Sequence, residues 1–139
     1  MLIGEFPALV GDKNRIALPK RLRDQFKGKI FITRGYEKCL LILDSQRWEG
    51  FMSEIDKRPL LSLDVRDTKR FILGGANEIE YDTQGRFVIP ETLKIFADIQ
   101  EKIIFIGVGE WVEVWSENKW RDKLDKLSEN VSDIANRLN

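Results

Sequence analysis

Apolar residues recur along this chain in two rhythms, and each rhythm comes round twice. Short β-branched and aromatic runs at residues 8–10, 16–18, 30–32, 41–43, 78–81, 87–89, 104–106 and 113–115 predict strands. Helical spacing places Leu22 and Phe26 on one face after Pro19, and Leu93, Phe96 and Ala97 on one face after Pro90. Longer helical stretches are expected at residues 45–55 and at 63–73, the latter stopped by Gly74-Gly75. A last amphipathic stripe runs through Trp120, Leu124, Leu127, Val131, Ile134 and Leu138, spaced 4, 3, 4, 3 and 4 residues apart.

The two rhythms belong to an internal duplication. Arg15-Ile16-Ala17-Leu18-Pro19 returns as Arg86-Phe87-Val88-Ile89-Pro90, 71 positions later. Beyond this motif, Ile30-Phe31-Ile32 aligns with Ile104-Phe105-Ile106 and Gly35 with Gly109. Leu41-Ile42-Leu43 aligns with Glu113-Val114-Trp115, and Trp48 with Trp120, the offsets drifting between 71 and 74. In each copy a polar turn joins two strands into an expected tight hairpin, residues 11–14 in the first and 82–85 in the second. Asp12 and Asp82 are the turn-forming acids: an aspartate there accepts a hydrogen bond from a backbone N–H two residues on. Gly85 supplies the positive φ that closes a bulged turn, and Asn14 is the next-best residue for that conformation. Pro19 and Pro90 suit a first helical turn, where no backbone donor is needed.

At 139 residues the chain is small for two independent domains, and two half-domains sharing one core fit better. The expected division is a first repeat at 5–50, a helical linker at 51–75, a second repeat at 76–122 and a C-terminal helix at 123–139. No apolar run approaches the roughly 18 residues that span a bilayer, and no secretory leader pattern opens the chain, so a soluble cytoplasmic protein is expected. The single cysteine, Cys39, lies in strand-like apolar sequence and reads as a small buried hydrophobe. With no histidine, the commonest general base and metal ligand are missing. Neither a phosphate loop nor a dinucleotide fingerprint nor a nucleophile elbow occurs. No enzyme, metal or cofactor is expected.

Charge changes the picture more than composition does. The chain as a whole is formally neutral, yet residues 1–35 carry eight basic against three acidic side chains, a net +5. The matching stretch, residues 76–102, carries three basic against six acidic ones, a net −3. The copies are alike in pattern and opposite in field. The C-terminal stripe is flanked from Glu117 onward by five acidic and five basic residues, which offers no net attraction to a polyanion.

A turn ending in Asp-x-x-Gly-Arg, then an apolar triplet and Pro, occurring twice about 70 residues apart, resembles the MraZ family of transcriptional regulators, built from two SpoVT-AbrB domains. The second copy matches that motif with Asp82, Gly85, Arg86 and Pro90; the first has Gly11 where Asp is expected and Asn14 where Gly is expected. The resemblance covers nearly the whole chain. It implies an α+β fold in which two tandem SpoVT-AbrB-like repeats form a swapped-hairpin β-barrel with flanking helices. It further implies a homo-oligomeric ring, associated with the nucleoid, that binds double-stranded DNA at short direct repeats in a promoter. The expected function is a repressor of a cell-division and cell-wall gene cluster that includes its own gene. The family's DNA contacts come from the turn and its arginine, which fall on Lys13 and Arg15 in the first copy and on Gln84 and Arg86 in the second. The alternative is an antitoxin-like module of the same fold that binds a partner protein through its C-terminal helix.

Side-chain chemistry allows the same role. A two-stranded ribbon fits a major groove, and arginine can offer two donors to guanine O6 and N7. Lys13, Lys20, Arg21 and Arg23 would neutralise phosphates and set orientation. The plainer alternative is that Arg15 and Arg86 each bridge a turn aspartate and brace a hairpin, worth at most about 1 kcal/mol if exposed. The field favours Arg15 over Arg86 for DNA. For the C-terminal helix, Leu124, Leu127, Val131 and Ile134 fit a subunit interface or a face packed on the subunit's own barrel.

Overall fold

A computed structural model describes all of residues 1–139, an α+β chain in the order β1 (Leu2–Leu9), β2 (Arg15–Ala17), α1 (Lys20–Arg23), β3 (Ile30–Arg34), β4 (Leu40–Asp44), α2 (Ser45–Asp56) and α3 (Leu63–Gly74). The second half repeats the strand plan with β5 (Asn77–Ile79), β6 (Arg86–Val88), α4 (Glu91–Phe96), β7 (Lys102–Gly109), β8 (Val112–Ser116) and α5 (Glu117–Arg137). The proline of each motif stands one residue before its helix rather than inside it: the Pro19 carbonyl accepts the N–H of Leu22 at 3.0 Å and of Arg23 at 2.8 Å.

The halves exchange strands. A six-stranded antiparallel sheet runs β1-β7-β8-β4-β3-β5, so β1 of the first half pairs with β7 of the second and β5 of the second pairs with β3 of the first. The remaining strands, β2 and β6, form a separate two-stranded ribbon. Exchanging each residue for its counterpart maps the ladders onto themselves: Arg15↔Val88 becomes Ala17↔Arg86 about the central pair Ile16↔Phe87. The same holds at the middle of the sheet, where Leu40↔Val114 becomes Ile42↔Val112 about Leu41↔Glu113. One pseudo-twofold axis therefore passes through the ribbon and the sheet. Neither half owns a complete set of hydrogen-bonded strands, which is why the duplication builds one core instead of two domains.

Two expectations change. The arms of each turn do not ladder with one another as hairpins do; a single bond closes the mouth, Gly11 N–H to the Arg15 carbonyl at 2.8 Å and Asp82 N–H to the Arg86 carbonyl at 3.0 Å, after which the arms part into different sheets. The alignment of the later strands also moves by one residue. Ile30↔Asp44 corresponds to Ile103↔Ser116, so Ile30-Phe31-Ile32 matches Ile103-Ile104-Phe105, and Gly35, bonded to the Cys39 carbonyl, matches Val108, bonded to the Trp111 carbonyl. The cause is a loop one residue shorter in the second copy, Gly109-Glu110 against Tyr36-Glu37-Lys38. Because strand side chains alternate with period 2, this shift decides which ones face which core.

The sheet has a core on each side. Ile30, Ile32, Leu40, Ile42, Ile103, Phe105, Val112 and Val114 meet Ile16, Leu18, Leu22, Phe87, Ile89 and Leu93 from the ribbon and its two following helices. On the opposite face Leu41, Leu43, Ile104, Ile106 and Trp115 pack with Ile72, Trp120, Trp48, Phe51, Phe71 and the near part of α5. Strand β4 is buried at every residue because both faces are covered, and it reads as an unbroken apolar run for that reason. Asp44, 1% exposed, ends the run and caps α2: its carboxylate accepts the Arg47 N–H at 3.0 Å, the Arg47 guanidinium at 2.8 Å and the Lys27 N–H at 3.1 Å. Gly107 lets β1 lie close, since a Cβ there would collide with the backbone of Leu2 and Ile3. Cys39 is fully buried as expected, and burial, then the charges of Glu113 and Glu37, push its thiol well above the ordinary range. No helix is long and apolar enough to cross a membrane.

Candidate nucleic-acid interface

Alternation along β2 and β6 turns Ile16 and Phe87 inward, at 1% and 3% exposure, and leaves Arg15, Ala17, Arg86 and Val88 facing out. Both motif arginines thus stand on one face of one ribbon, diagonal to each other across the axis. They line a common hollow of about 310 Å³ with Leu9, Gly11, Asp12 and Ala17. Val88, directly opposite Arg15, is 57% exposed. Pairing across the repeats is what creates this ribbon, and nothing local in either motif announces it.

The turn that ends each outer strand holds its arginine differently. In the second, Asp82 accepts the N–H of Gln84 at 2.9 Å and of Arg86 at 3.0 Å through Oδ1, and the Arg86 Nε at 2.8 Å through Oδ2. These donors, the Arg86 N–H above all, hold the Asp82 carboxyl below its ordinary value. Gly85 adopts φ 78° and donates to the Asp82 carbonyl at 3.0 Å. The first turn has no carboxylate at the matching position, which is Gly11. Lys13 and Asn14 both sit in the left-handed region, φ 60° and 59°, the signature of a type I′ turn, with the Arg15 N–H bonded to the Asp12 carbonyl. Arg15 and Lys13 have no ion pair or hydrogen-bond partner for their side chains, whereas Arg86 is already paired.

Of the other cations expected at this face, Arg21 is exposed and unpaired, and Lys20 is exposed and bridged to Asp24 at 2.8 Å. Arg23 differs. Half-buried, it donates to the Leu18 carbonyl at 3.1 Å, lies 5.9 Å over the Tyr81 ring and packs against Gly85, so it joins the repeats rather than extending outward. Asn14, expected only to shape its turn, also bonds Glu91 at 2.8 Å and Lys94 at 2.9 Å across the repeat boundary. Those partners lie 77 and 80 residues away, so no sequence spacing points to them.

The apolar stripe of α5 divides along its length. Trp120 is buried against Trp115, its indole donating to Glu5 at 2.7 Å, and Leu127 packs on the same core. Leu124 is 37% exposed, Val131 57% and Leu138 84%, while Ile134 is half-buried. The first half of the helix packs on the chain's own core; in the second, Val131 and Leu138 stand exposed. No group of histidine, cysteine or acidic residues is placed to hold a metal ion.

A duplicated α+β protein with exchanged strands and a paired-arginine ribbon is the class this fold and surface define. The chain belongs to the MraZ family: the family model described as "MraZ protein, putative antitoxin-like" matches twice, at residues 1–71 and 72–139. It is 36% identical to the transcriptional regulator MraZ of Caldicellulosiruptor saccharolyticus over 138 residues, covering 99% of this chain and 96% of that one. It is likewise 37% identical to the transcriptional regulator MraZ of Clostridium beijerinckii over 141 residues, 97% of this chain and 99% of that one, and 33% identical to that of a Roseiflexus species.

Proposed function

We propose that this protein is a DNA-binding transcriptional regulator that reads DNA with the outward face of the β2–β6 ribbon, Arg15 foremost. The carrying observation is Arg15 itself: exposed, free of any protein partner, and set in the half of the chain with net charge +5. The names of the relatives support the regulator reading. Lys13, Lys20 and Arg21 supply phosphate contacts, while Arg23 and Arg86 chiefly hold the fold.

The finer reading is a repressor of a cell-division and cell-wall gene cluster that includes its own gene, acting on short direct repeats as a ring associated with the nucleoid. Sheet and ribbon wrap one core as a barrel-like shell, which presents the ribbon as a rigid edge. Assembly uses the far end of α5 through Val131, Ile134 and Leu138, with Leu124 at its margin; Leu127 is largely spent on the subunit's own core. Avidity over several repeats would offset a weak contact per subunit.

The test is binding to the protein's own upstream DNA over a range of salt. Two to four phosphate contacts per subunit would make log K fall against log salt with a slope of about −0.9 per contact. Salt-insensitive binding, or equal affinity for a probe with a single repeat, would count against the reading. The exposed end of α5 favours one alternative, an antitoxin-like module whose main task is to hold a partner protein. Under that alternative, substitution of Val131 and Leu138 by aspartate would abolish partner capture and leave DNA binding and subunit assembly as they were.

A further inference from the structure

The first turn lacks the aspartate that stiffens the second, and its Lys13 is a non-glycine residue held at φ 60°. Something must restrain it. Asn14 donates from Nδ2 to Glu91 Oε2 at 2.8 Å and accepts from Lys94 Nζ at Oδ1 at 2.9 Å. Its backbone carbonyl accepts the Ile89 N–H at 2.8 Å. All three partners come from the end of β6 and from α4 in the other repeat. Glu91 and Lys94 stand one helical turn apart, an anion and a cation set before the two ends of a single amide. An amide satisfies both; a carboxylate would meet Glu91 as a like charge, and glycine would meet neither. The counterpart of Asn14 is Gly85, which has no side chain to make such contacts and sits in a turn that Asp82 already braces.

We propose that Asn14, Glu91 and Lys94 form a latch between the repeats that holds the Lys13-to-Arg15 turn in its DNA-reading conformation from outside, in place of the internal aspartate brace. These are positioning residues and touch no base. The proposal rests on the DNA-binding function given above.

Asn14→Gly tests it, because glycine keeps the left-handed backbone and removes only the amide. Residue-resolved amide hydrogen exchange should quicken at Gly11, Arg15 and Ile89, whose N–H groups close or dock the turn, and stay unchanged at Arg86. Affinity for the protein's own upstream DNA should fall roughly three- to tenfold, as for loss of a charge-assisted hydrogen bond, with affinity for random DNA and the salt slope nearly unchanged because no cationic side chain is removed. Adding Gly11→Asp should restore slow exchange, whereas affinity should recover only in part, since the new carboxylate also attracts the Arg15 guanidinium as Asp82 attracts that of Arg86. Gly11 has extended backbone, and a Cβ there meets only the Arg15 carbonyl oxygen, at 3.6 Å, so a carboxylate has room at the position that Asp82 holds in the other turn. Unchanged exchange in Asn14→Gly overturns the latch, as does quickened exchange with undiminished specific binding, or a Gly11→Asp that leaves the exchange quick. If the wild-type protein ignores its upstream DNA, the DNA-binding function fails, and the exchange data still decide whether the latch holds the turn.

Discussion

The turn from Gly11 to Arg15 and the turn from Asp82 to Arg86 close the same five-residue span, yet they hold their arginines by different means. The second is braced from within: one aspartate takes two backbone N–H groups and the arginine Nε, and glycine supplies the positive φ. The first is braced from the opposite repeat through Asn14, and its arginine is left without a partner. The two copies of the ribbon strand differ accordingly: the arginine of one is paired within its own turn, and that of the other is available. An arginine in an exposed ion pair must break that pair to reach a base, and one with no partner need not.

The largest expected effect lies in the second turn. Gly85→Ala would place a side chain at φ 78° against the Leu18 carbonyl and the Arg23 guanidinium, lowering unfolding stability by about 2–4 kcal/mol in urea denaturation. Asn14→Gly should cost less, about 1 kcal/mol by the same measurement, since glycine suits the backbone there and only the bonds to Glu91 and Lys94 are lost. Equal effects at the two sites would erase the contrast. Next comes DNA affinity. Arg15→Ala should cost about 1–3 kcal/mol in binding to the upstream repeats, and Arg86→Ala less than about 1 kcal/mol. The reverse order, with both variants folded, would show that the ion pair and the field do not decide which arginine reads DNA.

Asp82→Asn sharpens the comparison from the other side. It keeps an oxygen for the two backbone N–H groups but loses its hold on the Arg86 side chain, so titrations at low salt should show roughly two- to threefold tighter DNA binding that fades as salt is added. Smallest is a pH effect. A carboxyl held below its ordinary value of 3.8 contributes stability above that value and loses it as pH falls through the depressed value, so the second turn should loosen only in strong acid. The NMR shift of the Arg86 N–H should follow that titration. The Arg15 N–H, bonded to a backbone carbonyl instead, should move less.

The strand and helix periods, the buried Cys39 and the special backbone at Asn14 and Gly85 were determined by the sequence, because each depends on residues within a few positions of one another, and the duplication was too, because a repeated motif is visible however far apart its copies lie. So was the charge contrast between the copies, which composition fixes without regard to fold. The tertiary structure alone decided that β1 and β5 would trade places and that β2 would pair with β6 rather than with its own neighbour. A strand carries its alternation in its sequence but not the address of its partner, and here the partner lies about 70 residues away. The same reason hid Asn14's bonds to Glu91 and Lys94 and the docking of Arg23 against the opposite turn. It also hid the division of α5, whose stripe is continuous in sequence while the core it packs on ends partway along the helix. The one-residue slip between Ile103 and Ile104 was hidden by a short loop, where a missing residue leaves the apolar pattern almost unchanged and only the ladder of hydrogen bonds fixes the register.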